Sequence, residues 1–367
     1  MYKSLQIAIS RISRTNLSIS QISLFQLSLS QLSIATALAV SPIAAHSTEG
    51  EASTYIVNGT PISVQMYPSF TSVYFDQLDT SGLYQNYCGG TILDQYHILT
   101  AAHCVEGDSY YYTYTSVAPQ LQNEQQVKSA VGLLPKVDLI RASEFYYPST
   151  FIDSATLSWP DDIAIIKLEQ PMPVSSSDYT KLASLADASS YNVVGTEMLS
   201  IGHGYTRSNS DNDNILQGVT QRILSSSACD SANISDKQLC LQGDIDLDSQ
   251  LRNSTCGGDS GGPLFWYNGS EYIQVGITSF GPSQCGDPSA DYSSAYTEVA
   301  EYRDWIDSVL AGRETPQTVV TEFDRENYTP EDDSTSSLLE ESGGTLSWAW
   351  LLTLIVGRRL LQNKQRG

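Results

Sequence analysis

An all-β sandwich or barrel is the fold class that the sequence predicts, on three observations. From Ile56 to about Leu310 the chain is a succession of short β-type runs broken by Gly, Pro, Asn and Asp. β-favouring residues are frequent, with 22 tyrosines among 367 residues. Six cysteines, all between Cys88 and Cys285, make an even set of the kind used in oxidising compartments. Their spacing alone leaves the pairing open.

Taken in order, residues 1–45 read as a targeting segment. Lys3, Arg11 and Arg14 stand without any acid, a Ser/Gln/Leu/Ile run follows, and a smoother apolar patch at 34–40 leads to Ala44 and Ala45. Residues 46–55 make a short polar propeptide ending Ser-Thr-Tyr. The body, 56–311, predicts strands over 70–75, 97–101, 163–168, 272–279 and 295–299. It closes on an amphipathic helix over 301–310, because Tyr302, Trp305, Ile306 and Val309 recur at i, i+3, i+4 and i+7. Residues 312–342 hold nine acids against Arg313 and Arg325 and predict an extended or disordered acidic linker. After Gly343-Gly344, residues 345–357 are apolar, and Arg358, Arg359, Lys364 and Arg366 follow. Thirteen apolar residues fall short of a comfortable bilayer span, so 343–367 reads as a membrane sorting or anchor segment.

Charge removes one class of function. Residues 49–344 hold all 41 acids and 12 of the 19 Lys and Arg, a net charge of −29. Phosphate binding needs basic patches, so nucleic acid is excluded as a partner. A generically acidic, soluble secreted surface is the simplest reading.

Three motifs carry chemistry. Leu99-Thr100-Ala101-Ala102-His103-Cys104 ends an apolar strand on a histidine. Asp161-Asp162-Ile163-Ala164-Ile165-Ile166-Lys167-Leu168 puts an acid just ahead of a buried strand, where it can orient an imidazole. Cys256-Gly257-Gly258-Asp259-Ser260-Gly261-Gly262-Pro263 sets a serine among glycines. A serine hydroxyl is a poor nucleophile unless a base stands beside it and donors face the developing oxyanion. A lone G-D-S-G-G is also compatible with an ordinary Gly-rich turn; the order His, Asp, Ser argues against that.

With these motifs, residues 56–310 resemble the chymotrypsin–trypsin family of serine endopeptidases. Ile56-Val57-Asn58-Gly59, Cys88-Gly89-Gly90-Thr91-Ile92-Leu93, Ser279-Phe280-Gly281 and the terminal Tyr302-x-x-Trp305-Ile306 helix extend the match, in family order. The resemblance implies two six-stranded antiparallel β-barrels and a C-terminal helix, with no cofactor and no metal. It implies Ser260 as nucleophile, His103 as base and Asp162 as its orienting acid, with the N–H groups of Gly258 and Ser260 as oxyanion donors. Ser279, Phe280 and Gly281 would pair with substrate as an added strand. It also implies the pairs Cys88–Cys104, Cys229–Cys240 and Cys256–Cys285. A metal reading of the cysteines is weak, since no C-x-x-C pair occurs.

Departures from the family sharpen the expectations. Cleavage before Ile56 would free an ammonium to pair with Asp259, yet the preceding residue is Tyr55 rather than Arg or Lys. Activation is therefore expected from the enzyme itself or from a protease that cuts after aromatic residues. Ser254 stands where an aspartate would select Arg and Lys, and Ser294 replaces a wall glycine. Cleavage after uncharged residues follows, with Tyr, Phe, Leu or Met ahead of Ala or Val. Asp161 precedes the triad acid where asparagine is common, so the assignment of Asp162 rests on the following I-A-I-I-K-L run. Asp244, Asp246 and Asp248 alternate like ligands of a calcium loop but lack its glycine and terminal Glu. The C-terminal Gly-Gly, apolar and Arg-Arg order resembles the GlyGly-type sorting signal of Gram-negative bacteria. That implies a C-terminal processing protease and a secreted or surface-tethered product. The rival reading is a catalytically silent binding module on the same fold, which would have lost a triad member; an adhesion protein would account for the tail alone.

Overall fold

A computed structural model describes residues 56–79, 81–107, 109–128, 136–204 and 215–328. The targeting segment, the propeptide, the later part of the acidic linker and the sorting segment lie outside these residues. Twelve strands build two barrels. The first contains β1 (Phe70–Gln77), β2 (Leu83–Ile92), β3 (His97–Thr100), β4 (Thr115–Pro119), β5 (Ile140–Tyr146) and β6 (Ala164–Leu168). The second contains β7 (Glu197–Gly202), β8 (Gln217–Ile223), β9 (Gln238–Gln242), β10 (Pro263–Tyr267), β11 (Tyr272–Phe280) and β12 (Ser294–Glu298).

Each sheet closes on itself, which removes the unpaired edges that an open sheet would expose. In the first the order is β5-β4-β1-β2-β3-β6, and β6 returns to β5 through Tyr146↔Ile165. In the second the order is β8-β9-β12-β11-β10-β7, and β7 returns to β8 through Gly202↔Gln217. All of these pairings are antiparallel.

Residue choice explains the strands. In β6, four of the five residues are buried and only Lys167 reaches outward. Its ammonium meets Glu144 on the neighbouring β5 at 2.6 Å. The first core collects Val73, Ile92, Ile98, Leu99, Phe145, Ile165 and Ile166; the second collects Leu239, Leu241, Leu264, Val275 and Tyr296. The termini cross over. Thr60–Pro61 pairs with β8 of the second barrel, whereas the helix Arg303–Leu310 inserts Ile306 and Val309 into the core of the first. That helix follows a 3-10 turn at Val299–Tyr302, so its α-helical part starts two residues later than the sequence pattern predicts.

One expectation needs correction. The first part of the acidic linker is not an extended tether. Thr318–Val319 pairs antiparallel with β5, and Glu322–Glu326 forms a helix whose Arg325 is buried. Tertiary contacts with the first barrel override the polar composition. Among the described residues, no helix is long and apolar enough to cross a membrane.

Candidate active site

The site lies where the barrels meet. The β3 strand delivers its C-terminal end to a 3-10 turn, Ala102–Cys104, that presents His103. The disulfide Cys88–Cys104 ties this turn to β2. Asp162 arrives one residue ahead of the Ile163–Leu168 apolar run and is fully buried. Its Oδ2 lies 2.8 Å from His103 Nδ1, and its Oδ1 accepts the His103 backbone N–H at 3.0 Å. The Ser279 hydroxyl donates to the same carboxylate, and the Thr297 hydroxyl donates to the Asp162 carbonyl at 2.7 Å. Burial alone would push Asp162 up, but the imidazole charge and the hydrogen bonds outweigh it and hold the carboxyl below its ordinary value. Burial pulls His103 down; the attraction and hydrogen bond of Asp162 outweigh that and raise it above an ordinary histidine.

Ser260 is half-buried on the turn between Cys256 and Pro263. Its carbonyl accepts the Gly89 N–H at 2.7 Å, and Gly261 N–H donates to Thr278 O at 2.8 Å, so β2 and β11 fix the turn on both sides. Gly258 has φ +94°, a conformation that a side chain would resist. Among the described residues, neither the Gly258 nor the Ser260 N–H donates to a backbone carbonyl, which leaves both available to a ligand oxygen.

Asp259 is fully buried. Its Oδ1 accepts the Gly204 N–H at 2.8 Å and its Oδ2 the Cys256 N–H at 2.9 Å. A Cβ on Gly204 would fall 2.4 Å from the Asp259 carboxyl carbon, so the turn after β7 must be glycine for the carboxyl to fit. Burial, only partly offset by these N–H groups, pushes Asp259 up to about 7. Ile56 is also fully buried, and Val57 O accepts the Ser254 N–H at 3.4 Å.

The specificity candidates divide. Phe280 tilts against Trp159 with centroids 5.3 Å apart, and Tyr292 meets its edge at 6.4 Å. A Cβ added at Gly281 would meet Ser293 O at 3.0 Å, a contact tight enough to require that neighbour to shift. Ser294 is buried and spends its hydroxyl inside the protein, taking hydrogen bonds from Gln221 at 2.9 Å and Thr255 at 2.8 Å. The Ser254 hydroxyl is buried and has no hydrogen-bond partner among the described residues. Cys229–Cys240 and Cys256–Cys285 are bridged in addition to Cys88–Cys104.

Asp161 does not compete for His103. Its Oδ1 faces the Lys237 ammonium at 2.9 Å and the Tyr302 hydroxyl at 2.7 Å. Its φ is +56°, a region that Asp and Asn tolerate better than other side chains. Lys237 is marked by no motif, since a lone lysine carries no local signal; Ser279 is expected at the substrate strand, but its hydroxyl bond to Asp162 is not. In the acidic loop, Asp244 pairs with Arg222 at 2.5 Å and Asp246 caps the N–H groups of Asp248 and Ser249, so both carboxylates are already engaged within the protein. Cys88, His103 and Cys104 lie close together, but both sulfurs are spent in the disulfide and offer no thiolate to a metal.

Paired barrels with a buried carboxylate–imidazole couple beside a Gly-Asp-Ser-Gly turn define a chymotrypsin-like serine endopeptidase. The chain belongs to the trypsin family, whose sequence model, described as Trypsin, matches residues 56–306. Trypsin eta of Drosophila melanogaster is 31% identical over 230 residues, covering 61% of this chain and 76% of that protein. Brachyurin of Leptuca pugilator is 28% identical over 253 residues, covering 68% of this chain and 96% of that protein. CLIP domain-containing serine protease B15 of Anopheles gambiae is 30% identical over 238 residues and is covered over 61% of its length.

Proposed function

We propose that this serine endopeptidase uses His103, Asp162 and Ser260 as its triad and cleaves after uncharged residues. The observation that carries the reading is the 2.8 Å contact between His103 Nδ1 and the buried Asp162 carboxylate. That contact fixes the imidazole with Nδ1 protonated and Nε2 open as a base. Ser260 Oγ attacks the scissile carbonyl as Nε2 takes its proton. The carbonyl oxygen becomes negative between the Gly258 and Ser260 N–H groups. His103 then returns the proton to the leaving amine, and water hydrolyses the acyl-enzyme by the same route in reverse. Losing one oxyanion donor typically costs on the order of a hundredfold or more.

The pocket reading rests on Ser254, Ser294 and Gly281. No carboxylate stands at the Ser254 position to meet a buried cation, so an Arg or Lys side chain would be desolvated without a partner. On peptide substrates that differ only before the scissile bond, Phe, Tyr or Leu is expected to exceed Arg in kcat/KM. Faster turnover of the Arg peptide would overturn the assignment of the pocket.

Made as a precursor, the enzyme gains activity on cleavage before Ile56, when the new ammonium turns inward to Asp259. A carboxyl already buried and already at about 7 gains most from such a partner. Three disulfides favour a secreted location. Surface display through the Gly343-Gly344 tail, with its removal by a processing protease, rests on the sequence order alone. A mature C-terminus that still contained Arg358 would rule that processing out.

A further inference from the structure

The trypsin-family match stops at residue 306 and the C-terminal helix at Leu310, but the chain does not leave the barrel there. Gly312 takes φ +65°, and Arg313 N–H donates back to Ser308 O at 2.9 Å, which turns the chain. Gln317 N–H then donates to Phe145 O at 2.9 Å, and Val320 N–H to Ser143 O at 2.8 Å. Val320 is 3% exposed and belongs to the core of the first barrel. Thr321 and Asp324 form a capping box that starts the next helix.

That helix buries Arg325. Its Nη1 meets Glu169 at 2.6 Å and Glu322 at 3.3 Å, its Nη2 donates to Ala142 O at 2.6 Å, and its Nε donates to Thr113 O at 3.1 Å. Tyr114 OH donates to the Arg325 carbonyl at 3.2 Å, and the Tyr328 ring packs 5.5 Å from Tyr110. A buried guanidinium is costly unless its donors are met, and here every nitrogen has an acceptor. Such a fit marks a docked element rather than the start of a tether.

What it docks against bears on the site. Strand β5 ends at Tyr146 and β6 begins at Ala164; Asp162 is the penultimate residue of the loop between them. Gln317 Oε1 accepts the N–H of Tyr147, the first residue of that loop, at 2.9 Å. Arg325 holds Ala142 O in β5 and Glu169 directly after β6. One segment thus fastens the β5 stem of the loop through Gln317 and clamps the β5–β6 pair at its opposite end, where Ala142 lies across from Leu168, through Arg325. The loop itself carries Ser158, Trp159 and Asp161 at positive φ, a strained backbone that keeps its shape only if its ends are fixed.

We propose that residues 313–328 are a C-terminal brace of the catalytic domain, in which Gln317, through the loop stem at Tyr147, and Arg325, through the β5–β6 pair whose β6 starts two residues after Asp162, are positioning residues for Asp162. The proposal rests on the reading of Asp162 as the acid that orients His103. It extends the folded enzyme to at least Tyr328, beyond the family boundary.

The test uses point variants of the full chain, with rates expressed per titrated active site. Arg325→Met is expected to lower kcat about tenfold with KM within about twofold, because a displaced orienting acid weakens the chemical step more than binding. Gln317→Ala, which removes one hydrogen bond at the surface and leaves the core intact, is expected to lower kcat about threefold. Gln317→Glu keeps an acceptor for the Tyr147 N–H and is expected to restore the rate. A loss of thermal stability with kcat unchanged in Arg325→Met and Gln317→Ala would reduce the segment to a prop and overturn the positioning role. No change in either property would mean that the segment does not dock, and would overturn the brace itself. Asp162→Asn is measured alongside: if it leaves the rate intact, the triad reading fails, whatever the brace variants do.

Discussion

At the scale of single residues, the site depends on one carboxylate that stays ionised while buried. Asp162 is held below its ordinary value and His103 above its own, because each stabilises the charged form of the other. On the proposed triad, His103 must be neutral to take the Ser260 proton. Activity should therefore fall as pH drops through the raised His103 value, giving an acid limb in kcat/KM at or above the usual histidine range. Stability responds the other way: the contribution of His103 is fully present below its unfolded value and is lost as pH rises through the folded one. Asp162→Asn should lower kcat on the order of 10⁴-fold and move the acid limb down, as a pH–rate series on both proteins would show. A variant with near-normal kcat would remove Asp162 from the mechanism. Asp161, its neighbour, is committed to Lys237 and Tyr302 and cannot substitute without breaking both contacts.

At the scale of elements, each strand was readable where apolar residues ran unbroken. The Ile163–Leu168 run could only be a buried strand, and it carried Asp162 to the barrel junction. The helix Arg303–Leu310 was equally legible from its spacing; Ile306 and Val309 are buried as that spacing requires. Ile306→Ala should cost about 2–5 kcal/mol of stability, read from denaturant unfolding, because the cavity opens in the core of the first barrel. A cost well under 1 kcal/mol would mean that the helix is loosely docked. The brace was not legible. Its burial is supplied by two small patches, Val320 and the Arg325 stem, inside a stretch whose acids dominate any window average. Its real signals were local: the paired valines Val319-Val320 and the Thr321-x-x-Asp324 cap. The Ser279 bond to Asp162 was invisible for a different reason, since 117 residues separate the two and only the closed barrels bring them together.

For the whole molecule, the proposed reading joins a protease to an activation switch before Ile56. Val57 pairs with Ser254, so on the proposed reading the segment freed by cleavage adjoins the residue at the pocket floor. If the enzyme activates itself, a Ser260→Ala protein made in a host without other proteases should keep its propeptide; trimming to Ile56 at the normal rate would show that another protease does the work. The acidic balance, a formal net charge of −22, suits a soluble extracellular enzyme and sets it apart from nucleic-acid binders. The central claim is that Ser260 is a nucleophile activated by His103 and unmasked by cleavage before Ile56. A fluorophosphonate probe tests it directly. Ser260 should be labelled rapidly in protein cleaved before Ile56 and slowly in the uncleaved chain, and His103→Ala should abolish labelling in both. Absence of labelling in the cleaved protein, or equal labelling with and without His103, would contradict the account and leave a silent binding module on the same fold.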